Sequence, residues 1–117
     1  MATVFLSAPT LLDLAHERLQ TGDLVGAGCY CRAALHRHLR EWCQRHGCLP
    51  YGRRLPATDY AKALCRAGVF TESQRGRITR LLLPCNRASF VLLRVSPRRL
   101  RDVIESARLM VAESVTD

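Results

Sequence analysis

Four histidines and an abundance of arginine are the chain's main stock of groups able to bind a phosphate or move a proton. Two Arg-to-His pairs six residues apart occur, Arg32 to His38 and Arg40 to His46, and an arginine beside a histidine can serve phosphodiester cleavage. In such chemistry the guanidinium holds the scissile phosphate and the imidazole transfers a proton. Both pairs fall within one continuous helical pattern. Six helical steps turn the two side chains ~120° apart, so neither pair is expected to share a face. His36 and His38 flank Arg37, and His38 borders an apolar stripe, where a histidine usually satisfies a local hydrogen bond.

Cys43, His46 and Cys48 form a second cluster. Cys43 and His46, three residues apart on a helix, can share a zinc ion, with Cys48 just past the helix end. A fourth ligand is missing, because Cys29 lies some three turns away, and no paired C-x2-C knuckle occurs. The expectation is therefore no metal and no cofactor. Buried free thiols are the reading for most of the six cysteines: Cys29, Cys31, Cys43, Cys48, Cys65 and Cys85. No acid pair, no Ser/His/Asp set and no Gly-rich phosphate loop can be assembled, since the ten acids are dispersed.

Charge is the broader signal. The 117 residues carry a formal net charge of +8, and Lys62 is the sole lysine. Arginine's planar fork suits phosphate and carboxylate, which points to nucleic acid or an acidic protein as partner. The basic side chains concentrate in the second half, where Arg80, Arg87, Arg94, Arg98, Arg99 and Arg101 are the candidate anion-binding residues. The start of the last helix, beside Arg94 to Arg101, adds backbone N–H groups that favour anions. A solvated basic rim explains the same residues without a ligand. Few aromatic side chains, Tyr51, Tyr60 and Phe90 among them, are offered for bases to stack on.

The elements that must position these groups read as helices, and the length suits a single domain with a core about 9–113. The first helix runs from about Pro9 to Gln20, with Ser7 as cap and Leu11, Leu12, Ala15 and Leu19 on one face. Thr21-Gly22-Asp23 breaks it. The second, about Leu24 to His46, spans ~34 Å and carries the stripe Leu24, Gly28, Cys31, Leu35, Leu39, Trp42 and His46. Gly28 in that stripe admits a close neighbouring helix; Trp42, Leu35 and Leu39 suit either a core or an interface.

A loop around Pro50 and Pro56 leads to a short helix from about Thr58 to Ala67, with Tyr60, Ala61, Leu64 and Cys65 inward. Thr71-Glu72-Ser73-Gln74 is a capping box. The helix it opens has Ile78, Leu81, Leu82 and Cys85 on one face and is expected to kink or stop just before Pro84. Ser96-Pro97 starts the last helix, with Leu100, Val103, Ile104, Ala107 and Val111 on one side. Phe90-Val91-Leu92-Leu93 is the one run able to form a strand. The fold expected is an all-α, compact antiparallel bundle of four to five helices. The start of the chain lacks the marks of a signal peptide and no stretch reaches the ~20 apolar residues of a membrane span. A soluble, cytoplasmic protein with no membrane contact is the expectation.

The order of elements resembles HEPN domains, a helical family that includes toxin ribonucleases and partners of nucleotidyltransferases. The similarity lies in Gly22-Asp23-Leu24, Ala27 and Cys31-Arg32-Ala33-Ala34-Leu35, which look like the family's long helix. Thr71-Glu72 through Leu83, then Asn86-Arg87-Ala88-Ser89, look like the helix entering its catalytic junction, and Ser96-Pro97 like its closing helix. The resemblance covers most of residues 10–113. Active members place a histidine about five residues after an arginine at that junction. Here Arg80 or Arg87 supplies the cation, while Ser89, Phe90 and Val91 stand where the histidine belongs, and no histidine follows His46. The resemblance thus implies a non-catalytic, self-associating binding or interaction module. Arginine-rich RNA binding is the alternative, and a residual ribonuclease using Arg32, His38, Arg40 or His46 a further one.

Overall fold

The computed structural model describes residues 6–52, 55–89 and 95–115. These form five helices: α1 (Ala8–Gln20), α2 (Leu24–Arg45), α3 (Ala57–Arg66), α4 (Glu72–Ala88) and α5 (Pro97–Val115). No strand occurs among the described residues, and the run 90–93 lies outside them. No helix among them is long and apolar enough to cross a membrane.

Local chemistry sets the helix ends. Ser7 Oγ accepts from Thr10 N–H at the start of α1, and Asp23 accepts from Gly26 N–H at 2.9 Å at the start of α2. Both halves of the α4 capping box are made: Gln74 N–H donates to Thr71 Oγ1 (3.1 Å), and Thr71 N–H to Gln74 Oε1 (2.7 Å). Ser96 Oγ caps α5 by accepting from Arg99 N–H. Each bond satisfies a donor that the helix itself leaves open.

α2 is the centre of the molecule, packing against each of the other four helices; α1 lies along it as the other arm of a short-looped hairpin. Leu12, Ala15, Cys31, Leu35, Leu39, Tyr60, Leu64, Ile78, Cys85, Leu100 and Ile104 make one continuous interior. Leu35 and Leu39 are wholly consumed by that core, and the half-buried Trp42 packs edge-on to Phe70 with ring centroids 4.6 Å apart. Leu35 and Leu39 therefore belong to the interior, whereas Trp42 keeps one side on a hollow it shares with His46 and Arg77. His46, expected at the end of the same stripe, is exposed because α2 ends at Arg45 and His46 is its C-cap.

Gly28 does what its place in the stripe implies. A β-carbon there would stand 2.6 Å from Ala88 Cβ and 3.0 Å from the Cys85 carbonyl, so only glycine lets α2 and α4 approach this closely. The same contact bears on Pro84. The helix was expected to kink or stop before it, but α4 runs on to Ala88 with Pro84 buried. A proline inside a helix costs about 3 kcal/mol. Burial of Leu81, Leu82, Pro84, Cys85 and Ala88 against the core offsets that cost, and Arg80, whose carbonyl loses its partner, is exposed.

Candidate anion-binding cleft

Arg32 and His36 are one turn apart on α2, only ~40° around its axis. Arg32 is exposed and His36 half-buried, at the edge of the helix face that buries Leu35 and Leu39. With Cys29 and Ala33, Arg32 and His36 form one wall of a cleft of about 490 Å³. Leu82 and Asn86 of α4 form another wall, and Pro56, Ala57 and Thr58, at the start of α3, close it. The Gly28 contact holds this geometry, since Gly28 lies one turn before Arg32 and touches α4 on both sides of Asn86.

The start of α3 adds donors. Pro56 is its N-cap and supplies no side-chain cap, while Asp59 N–H bonds Pro56 O at 3.0 Å. The N–H groups of Ala57 and Thr58 precede the first intrahelical bond and border the cleft, where the helix dipole favours negative charge. Arg32 is exposed, and no ion pair among the described residues engages it. No carboxylate lines the cleft; Asp59, in the first turn of α3, lines a separate one with Lys62 and Arg66. Asn86 and the Thr58 hydroxyl complete a set of neutral and cationic donors suited to an anion.

His36 is fixed from two sides. Its Nε2–H donates to the Leu55 carbonyl at 2.8 Å, and its ring meets Tyr60 edge-on with centroids 5.2 Å apart. The carbonyl sets the tautomer and leaves Nδ1 as the nitrogen without a hydrogen.

Neither Arg-to-His pair singled out by spacing forms a site. His38 is buried at 5% exposure beside Trp42, facing away from Arg32. Burial, followed by the charge of Arg45, lowers its pKa to about 4. His46 borders a smaller hollow with Trp42, Phe70 and Arg77, which Arg40 does not line. The histidine that shares the cleft with Arg32 is His36, at a spacing of four. The i, i+4 rule puts these two on one face, which a spacing of six does not.

Among the candidate anion-binding arginines, Arg80 and Arg87 are exposed on α4, seven residues apart and so on one face, but neither lines the cleft. Arg98, Arg99 and Arg101 are exposed on the first turns of α5. Arg94, and Phe90 at the expected histidine position, lie outside the described residues. Asn86, Thr58 and the α3 amides were not singled out in the sequence. No group of three or more His, Cys, Asp or Glu side chains converges as a metal site among the described residues.

No family model, no curated protein and no solved structure matches the chain.

Proposed function

We propose that this chain is a HEPN-like helical module that binds an anionic partner without cleaving it. Its ligand is a phosphate of nucleic acid, RNA in the first instance, held by Arg32, Asn86 and the first-turn amides of α3. The observation that carries this reading is the cleft itself. An exposed, unpaired guanidinium faces an uncapped helix start across a hollow with no acidic lining. The exposed arginines Arg80, Arg87, Arg98, Arg99 and Arg101 supply a surrounding positive field that draws a polyanion in. Self-association, implied by the resemblance, and a cytoplasmic setting, expected from the lack of signal-peptide and membrane-span marks, belong to the same reading; sedimentation of the purified chain tests the first.

The test is fluorescence anisotropy with a short labelled RNA at several salt concentrations. Arg32→Ala is expected to weaken binding about tenfold or more, the worth of a charge-assisted phosphate contact. It also lowers the log–log salt slope by about one. Unchanged affinity and slope in Arg32→Ala would remove the cleft from the reading, whatever the rim arginines do. A second reading, cleavage through His36, is favoured by its place one turn from Arg32. Incubating the same RNA with wild type and His36→Ala decides it, because only His36-dependent scission supports an enzyme.

A further inference from the structure

The end of α2 is closed by a Schellman motif, the turn in which two reversed hydrogen bonds tie off a helix. Cys48 N–H reaches back to the Cys43 carbonyl at 3.0 Å, and Gly47 N–H to the Gln44 carbonyl at 3.3 Å. Gly47 sits in the left-handed region at φ +66°. This turn sets the side chains of its first and last residues against each other, a place usually taken by an apolar pair. Here both residues are cysteine, so the turn sets two thiols side by side.

The two thiols differ in surroundings. Cys43 is fully buried and its Sγ donates to the Tyr60 carbonyl at 3.4 Å. Cys48 is half-buried and lines an open cleft with Pro50, Tyr51, Leu55, Lys62 and Arg66. A small reagent thus reaches Cys48 from solvent and Cys43 only through Cys48. A second cysteine pair, Cys31 of α2 and Cys85 of α4, also interacts directly, but both members are fully buried.

We propose that Cys43 and Cys48 are a redox-active dithiol that closes to a disulfide across the α2 C-cap by exchange with a low-molecular-weight disulfide. The Cys48 thiolate attacks the reagent disulfide RSSR, forming Cys48–S–S–R and releasing one thiolate RS⁻. The Cys43 thiolate then attacks the Cys48 sulfur, forms the intramolecular disulfide and expels the second RS⁻. Two protein thiols are oxidised, one RSSR is reduced to two RSH, and the two thiol protons pass to the two leaving thiolates. The second step is the slow one and quickens with rising pH, because burial raises the Cys43 thiol above its ordinary value and so keeps its thiolate scarce. Closure also takes away the Cys43 S–H donor to Tyr60, which lies on α3 behind its cleft-lining first turn.

Oxidised glutathione is added to the native protein, and peptide mass mapping without reduction follows the products. The expected product lacks two hydrogens, links Cys43 to Cys48 and leaves Cys31 and Cys85 as thiols. Cys43→Ser should stop at a glutathione adduct on Cys48, and Cys48→Ser should form neither the adduct at that position nor the Cys43 link. A lasting Cys48 adduct in the wild type, or a first disulfide joining any other pair, would overturn the proposal. So would a link that appears only after urea unfolding. Each readout is independent of RNA binding, so the dithiol stands or falls apart from the cleft.

Discussion

Replacing Gly28 by alanine tests the contact on which the cleft depends. In the interior of a helix, glycine to alanine is worth about 0.5–1 kcal/mol of stabilisation in the absence of a clash. At Gly28 the new methyl would meet Ala88 Cβ at 2.6 Å and the Cys85 carbonyl at 3.0 Å. Neither is the free end of a flexible side chain, so α2 and α4 must separate, at an overpacking cost of about 1–3 kcal/mol. The middle of each range leaves a net loss of about 1.3 kcal/mol. For 117 residues the unfolding entropy is about 0.25 kcal/mol/K, so the midpoint should fall by roughly 5 °C.

Gly76 is the control, because only Arg80 Nη1, at 3.7 Å, would lie near its added β-carbon. Gly76→Ala should raise the midpoint by roughly 2–4 °C. Thermal melts by far-UV circular dichroism read both variants. A Gly28→Ala protein melting at or above wild type would refute the close approach of α2 and α4, and with it the seating of Asn86 opposite Arg32.

Two further predictions concern buried and capping groups. His38 has a folded-state pKa of about 4, below its ordinary 6.5, so the unfolded chain binds the extra proton first as the pH drops. Stability is therefore expected to fall between about pH 6.5 and 4, by up to about 1.4 kcal/mol per pH unit, and to level off below. Urea titrations across that range should show a shallower dependence in His38→Leu. Thr71→Ala removes the side-chain acceptor for Gln74 N–H and so one half of the α4 capping box. It should cost about 1 kcal/mol in the same titrations, and a loss below a few tenths would mean that the cap contributes nothing there.

Four of the five helices were legible because each carries its own punctuation. Ser7, Asp23, Thr71 with Gln74, and Ser96 with Pro97 mark starts through hydrogen bonds to residues three positions away. Such local chemistry survives in the linear order of residues. The buried faces followed from the 3.6-residue period: Leu11, Leu12, Ala15 and Leu19, or Leu100, Val103, Ile104 and Ala107, are inside as their spacing requires. The all-α class rested on these two signals alone. The stop allowed for at Pro84 does not occur, because propensity is local while its compensation, the burial of five side chains of α4, comes from other helices.

The site was decided at the level of packing. Spacing named Arg32 but paired it with His38, which the fold buries beside Trp42. Arg87 was named with five other arginines as an anion-binding residue and its neighbour Asn86 was not, although one residue turns a helix by ~100° and so moves a side chain from rim to cleft. The chain order thus determined helices, their inner faces and a surplus of arginine. Only the tertiary structure decided that Arg32, His36, Asn86 and the bare start of α3 share one hollow. Their meeting depends on the separation of α2 and α4, fixed by the missing side chain of Gly28, and no periodicity in the sequence encodes a distance between helices.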